Sequence, residues 1–375
     1  MNSGRSPYAK WLAGSAALCL VLLLSGLLVP ILGSRADVRV ATGFFINLIV
    51  VLGLQIFMGN SGIMNFGFVA FMGIGAYTSA ILVTPVIVKL ETIPDAPFGL
   101  SGFELNFWAG ALIAVLLSTL IALMTGLAIT RQDGIPASIA ALSVLIIVHV
   151  TLLHWLDLTR GPRAFYRIPI KTSLNLAMVV TLVVVVIARA FKESRVGLQL
   201  RASRDDPIAA STMGVDVRRV RVISWVLSSA IISVGGVLTA HLLGTLNPDV
   251  FYFKITFLIL AMLLLGGQST VSGPILGATL ITIGLEVTRG LAEGPAVLGL
   301  DLPRMFGLPQ FFLGVVIILV MKFRPDGIVG DAEVDDIALG LWARRHGYSP
   351  DAERQTIKQR SLKSVRSFKD KKFVR

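Results

Sequence analysis

"RASRDDPIAASTMGVDVRRV", residues 201–220, separates two apolar runs, 174–191 and 222–243, and offers no large hydrophobic face of its own. Asp205 or Asp206 suits a helix N-cap, because a short carboxylate accepts from the first free amides. Pro207 suits the first helical position, where its missing N–H is not needed. Residues 208–213 then make under two turns, including the small Ala209 and Ala210, and Gly214 supplies the positive φ that ends a helix. A helix this short is marginal alone and needs a docking partner or tight flanking loops. The plainer alternative is an ordinary amphipathic linker between spans.

The flanks set the fold class. Of the 375 residues, 54% are hydrophobic and only 15% charged, against about 25% charged in soluble domains. Apolar runs long enough to cross a bilayer recur along the chain. They fall near residues 11–32, 41–58, 69–88, 107–130, 136–156, 172–191, 221–244, 255–267, 272–289 and 306–322. The reading is an all-α polytopic membrane protein of about ten transmembrane or re-entrant helices, with a short cytoplasmic coupling helix. Residues 1–10 form a cytoplasmic N-terminus, 11–330 the transmembrane domain with its loop at 192–220, and 331–375 a basic cytoplasmic tail. The basic start and first apolar run resemble a signal peptide, but the run is long enough to span and is read as an uncleaved helix.

The formal charge of +12 would suit a nucleic-acid binder. In a membrane protein, Lys and Arg instead collect in cytoplasmic loops, so no nucleic-acid partner is expected. Eight basic residues lie between Arg189 and Arg221, and nine between Arg354 and Arg375, a tail suited to anionic lipid. Both termini inside, with ten crossings, satisfies most of this. Arg160, Arg163, Arg167 and Lys171 then fall outside, so either this loop meets an acidic partner or the topology is wrong there by one segment. The single cysteine, Cys19, excludes a disulfide or Cys-based metal site within the chain. No HExxH, GxSxG or GxxxxGK[ST] motif occurs, so neither metalloprotease, serine hydrolase nor phosphate-loop chemistry is indicated, and no cofactor is expected in this chain.

Two glycine-rich interruptions stand out. In "GNSGIMNFGFVAFMGIGAY", 59–77, Gly59, Asn60, Ser61, Gly62, Asn65 and Gly67 would expose backbone dipoles and amides at membrane depth; Gln55 precedes them. Gly73 and Gly75 suit close helix packing equally well. In "LGGQSTVSGPILGA", 265–278, Gly266, Gly267, Gln268, Ser269 and Gly273 break a second apolar region, whose halves read as broken or re-entrant segments. Interruptions in both halves of a transporter point to a translocation path. His149 and His154 are five apart, the wrong spacing for one helix face, and read as interfacial rather than metal-binding. Glu286 with Arg289 marks a helix end, and Lys254 a snorkelling boundary. No chain of buried carboxylates supports an ion-driven mechanism.

These segments resemble a known family, the LivM-type permeases of bacterial ABC importers for branched-chain amino acids. "GLQIFMGNSGIMNFGFVAFMGIGAY" (53–77) looks like its glycine-rich signature, and "LQLRASRDDPIAASTMGVDV" (198–217) like its cytoplasmic coupling segment. "LLLGGQSTVSGPILGA" (263–278) and "FRPDGIVG" (323–330) follow in the family's order. The resemblance implies an inner-membrane subunit paired with a second, LivH-like permease, two ATP-binding subunits that hold ATP and Mg²⁺, and a periplasmic solute-binding protein. It places the segment around Arg201, Arg204 and Gly214 on the ATPase. Ile63, Asn65 and Phe68 depart from the family's usual Gln, Ser and His, Gln268 replaces a usual Leu, and Asp326 a basic residue. The implied solute is a branched-chain or other amino acid; relatives carrying urea, short amides or sugars keep those open.

Overall fold

The computed structural model describes residues 7–292, 296–297, 300–301, 307–323 and 327–330. The basic tail 331–375, Asp326 and residues 1–6 lie outside the described residues. Its helices are α1 (Pro7–Leu32), α2 (Arg35–Ser61), α3 (Phe68–Val83), α4 (Val86–Thr92), α5 (Phe107–Ile129), α6 (Gly134–His154) and α7 (Leu156–Thr159). They continue as α8 (Leu174–Glu193), α9 (Arg195–Asp205), α10 (Pro207–Thr212), α11 (Val217–Leu243), α12 (Phe253–Gly266), α13 (Ser272–Ala292) and α14 (Leu308–Phe323). A two-residue antiparallel pair, Ala296–Val297 with Leu300–Asp301, is the one β ladder among the described residues. Ser15–Asp331 form one compact unit, which holds the helix bundle.

Eight described helices are long and apolar enough to cross a membrane. The pair α3–α4, bent by 115°, brings the number to nine if it is one broken span, and Leu308–Val320 of α14 is a shorter apolar helix. The chain is a multi-pass membrane protein. α5 shows why the perimeter is greasy: Leu112, Leu116, Leu120 and Met124 are all exposed at four-residue spacing, one apolar stripe facing outward along a helix whose opposite side packs inward.

At the centre α11 lies between α2, α3 and α5. Asp216 caps α11 by accepting from the Arg219 amide at 3.0 Å. Lipid tails are as apolar as leucine, so helices in a bilayer associate by close packing and interhelical hydrogen bonds. Both occur here. A Cβ on Gly236 would stand 2.0 Å from the Met72 carbonyl oxygen, so the α3 and α11 backbones touch only because glycine is there. Ser228 Oγ donates to the Gly53 carbonyl at 2.6 Å and Thr181 Oγ1 to that of Phe45 at 3.1 Å. Trp225 is fully buried with its ring edge-to-face against Phe57 and Phe71.

Contacts along these helices define two ends. At the near end lie α9 and α10, the α5–α6 turn and the α12–α13 turn; Arg218 Nη2 donates to the Leu127 carbonyl, and Arg221 pairs with Asp133. At the far end the 160–173 loop runs beside the close of α11, with Phe165 bridged to Leu246 and the Lys171 amide donating to the His241 carbonyl. Arg160, Arg163, Arg167 and Lys171 therefore sit at the end opposite α10, with Arg160 and Arg167 over the Tyr166 ring. Helices α12 and α13 run as a continuous pair between the ends, where the sequence suggests broken segments. Their interruption is confined to the turn 267–271.

Candidate functional site

The three segments singled out by sequence meet at the near end. α2 closes at Gly62, whose φ of 72° is the left-handed conformation that glycine adopts without a Cβ penalty. The chain then turns back through 62–67 into α3. This turn is recessed: a Cβ on Gly67 would meet the carbonyl of Ala141, seven residues into α6, or about 10 Å from that helix's start by helical rise. α9 covers the recess. Arg204 Nη1 donates to the Gly59 carbonyl at 2.8 Å and to Ser269 Oγ at 3.4 Å, so one guanidinium joins α2, α9 and the 267–271 turn. Directly beside it, a Cβ on Gly59 would stand 2.1 Å from the Gln268 carbonyl oxygen. The end of α12 that leads into this turn is held by the segment after α14, with the Ile328 and Val329 amides donating to the Leu265 and Gly266 carbonyls at 2.9 and 3.1 Å.

Other expected residues serve the turns locally. Asn65 Oδ1 accepts from the Gly67 amide at 2.9 Å and Ser61 Oγ from the Ile63 amide at 3.2 Å, so both shape the backbone. Asn60 Nδ2 donates to the Ile56 carbonyl at 3.0 Å, leaving its oxygen buried without a partner among the described residues. Gln55 is fully buried and both of its amide atoms lack a described partner. Gly266 and Gly273 hold the α12–α13 turn together, since a Cβ on Gly266 would stand 1.9 Å from the Gly273 carbonyl oxygen.

The short helix α10 has the predicted cap. Asp206 Oδ1 accepts from the Ile208 and Ala209 amides at 2.9 and 3.0 Å, Pro207 opens the helix, and Gly214 follows at φ 85°. Asp205 closes α9 and lies away from the cap. The surface is more apolar than a stretch with no large hydrophobic face suggests: Ala210 is buried, whereas Ile208 is 77% and Met213 85% exposed. Two large apolar side chains thus project from the near end. Sequence alone undercounts them because Ile208, Ala210 and Met213 fit no periodic stripe in so short a helix.

Several basic residues read as loop charges are internal fasteners instead. Arg201 Nη2 donates to the Lys192 carbonyl at 3.0 Å, and Arg189, Lys192 and Arg221 are buried. At the far end His149 stacks on Tyr252 with ring centres 3.9 Å apart, 3.8 Å from Asp249. His241, which the motif reading passes over, is fully buried: Nδ1 lies 2.8 Å from the Pro169 carbonyl and Nε2 2.9 Å from Ser79 Oγ. It staples α3, α11 and the 160–173 loop.

Residues 38–321 match the model of a protein family described as branched-chain amino acid transport system / permease component. The chain belongs to this permease family. Among curated relatives, the high-affinity branched-chain amino acid transport system permease protein LivM of Escherichia coli K12 is 26% identical, over 82% of this chain and 73% of its own length. LivH of Salmonella typhimurium LT2, named as a permease of the same transport system, is 23% identical over 77% and 92%. No solved structure matches the chain. In the permease, Ile63 and Phe68, where the family resemblance expects polar residues, are buried flanks of the α2–α3 turn, while Gln268 is half-buried and presents its backbone to Gly59.

Proposed function

We propose that this permease is the membrane-spanning subunit of an ATP-driven importer of branched-chain or other amino acids. It pairs with a LivH-like second permease, two ATP-binding subunits that carry ATP and Mg²⁺, and a periplasmic solute-binding protein. The near end is cytoplasmic, with both termini inside a bacterial inner membrane. The observation that carries this reading is α10, a capped helix of under two turns, with Ile208 and the following Met213 exposed and Arg204 behind it on both glycine-rich segments. Such a helix gives a separate motor an apolar foothold. Movement of α9–α10 would pull on the α2–α3 and α12–α13 turns together, a rigid-body lever of the kind that alternates access. The names of the relatives supply the solute class.

The test is reconstitution with a second permease, an ATPase and a solute-binding protein, sought first in the reading frames beside this one. Leucine uptake into proteoliposomes should require ATP and all subunits, and urea or sugar uptake should be negligible. Uptake that persists without the ATPase and collapses with a protonophore would establish an ion-coupled carrier instead.

A further inference from the structure

A cleft of about 440 Å³ opens among α2, α11, α12 and α13, away from the near-end turns. Arg39, Glu286 and Arg289 line it together with Asn47 and Thr282. Its depth follows from helix arithmetic. Arg39 lies four residues from the far end of α2, and Asn47 twelve, about 18 Å in by helical rise. Thr282 lies ten residues from the near end of α13, about 15 Å, so the floor is close to the middle of a 30 Å hydrocarbon core. Charged groups mark the mouth, neutral polar groups the floor. The wall between them is apolar, from Leu242, Leu258 and Met262.

We propose that this cleft receives the transported solute from the far side, and that it selects a zwitterionic amino acid with an apolar side chain. The inference rests on the importer reading above and goes beyond it by naming a site and its chemistry. Glu286 holds Arg289 at 3.1 Å, which leaves Arg39 as the cation available to a carboxylate. A solute ammonium then shares Glu286, and the apolar side chain lies on the leucine and methionine wall. A zwitterion meets Arg39 with its carboxylate and Glu286 with its ammonium, whereas urea, an amide or a sugar offers neither ion an opposite charge. Thr282 Oγ1 is buried without a partner among the described residues and offers a further contact on the floor. The Glu286–Arg289 pair, read from sequence as a helix end, thereby becomes part of a mouth.

The test uses the assembled importer with Cys19→Ser and Asn47→Cys, labelled by a membrane-impermeant methanethiosulfonate from the solute-binding-protein side. Saturating leucine should slow labelling by about tenfold, while urea and glucose leave the rate unchanged. Arg39→Gln should abolish the protection and Arg39→Lys restore part of it, with co-purification of the second permease confirming assembly. No labelling of the Asn47→Cys thiol, equal protection by urea or glucose, or protection that survives Arg39→Gln would overturn the site. Leucine uptake by the parent importer is measured alongside. Absent uptake counts against the importer reading, whereas normal uptake without protection counts against the cleft alone.

Discussion

Arg204 Nη1 donates to the Gly59 carbonyl oxygen at 2.8 Å and reaches Ser269 Oγ at 3.4 Å, so residues 145 positions apart in one case and 65 in the other share one guanidinium. The contact ties the segment that carries α10 to both glycine-rich turns. Arg204→Ala should leave the bundle inserted and folded, because the side chain lies at the surface and the lost bonds amount to about 1 kcal/mol. Its effect should fall on coupling: ATP hydrolysis should stay normal while leucine uptake per ATP drops about tenfold. Arg204→Lys should fall between, since an ammonium keeps the charge and can donate to both acceptors but is a strongly hydrated, rotatable donor without the preorganised guanidinium geometry. Equal loss of hydrolysis and uptake would show that Arg204 has only a structural role.

Gly59→Ala tests the same junction from the opposite side. Its Cβ would stand 2.1 Å from the Gln268 carbonyl oxygen and 3.2 Å from Gln55 Cγ. The first of these is backbone and cannot swing aside, so the α2 terminus and the 267–271 turn must separate. The expected cost is about 2 kcal/mol, in the range for overpacking a tight contact, seen as a lower melting temperature in detergent. Gly43→Ala, which meets nothing within 4 Å, should leave the melting temperature unchanged or slightly raised.

The polytopic all-α class and the α10 cap were legible in the sequence because both rest on local signals, long apolar runs and the Asp206–Pro207 pair; the count was less so, ten runs against eight membrane-length helices, or nine with the bent α3–α4 pair, among the described residues. The two glycine interruptions were also legible as positions. Their meeting at Arg204 was not, because nothing local links residue 59 to residue 269. The burial of Arg189, Lys192 and Arg221 was missed for a related reason: a loop count of basic residues treats every Arg as solvated. The far-end cleft escaped because its charged residues, Arg39 and Glu286, sit on helices far apart in sequence, each looking like an ordinary boundary marker alone.

Arg221 and Asp133 form an unequal pair. The Arg221 side chain is 6% exposed and that of Asp133 70%. Removing the partner of a buried charge costs more than removing the buried charge together with its desolvation. Asp133→Ala should therefore destabilise by about 2 kcal/mol and Arg221→Met by less, with the double variant close to Arg221→Met. Thermal unfolding of the three variants checks the order, and Arg221→Met as the weakest protein would contradict it.

Ile208 and Met213 decide whether α10 is a docking surface or a linker. Exposed apolar side chains scattered singly need no explanation, but here Ile208 in α10 and Met213 directly after it project together from a segment whose position is fixed by the Asp206 cap and by Arg204 behind it. At a protein interface a central apolar anchor carries a large share of the binding energy, and its truncation costs about 2 kcal/mol or more. Ile208→Asp and Met213→Asp should each weaken ATPase co-purification at least ~30-fold by that figure, while melting temperature and membrane insertion stay as in the parent. Ser211→Ala, which removes only a bond to the Ile208 carbonyl within the helix, should leave co-purification unchanged. If neither Asp substitution affects ATPase binding, α10 is a connection between α9 and α11, and the motor docks elsewhere on the near end.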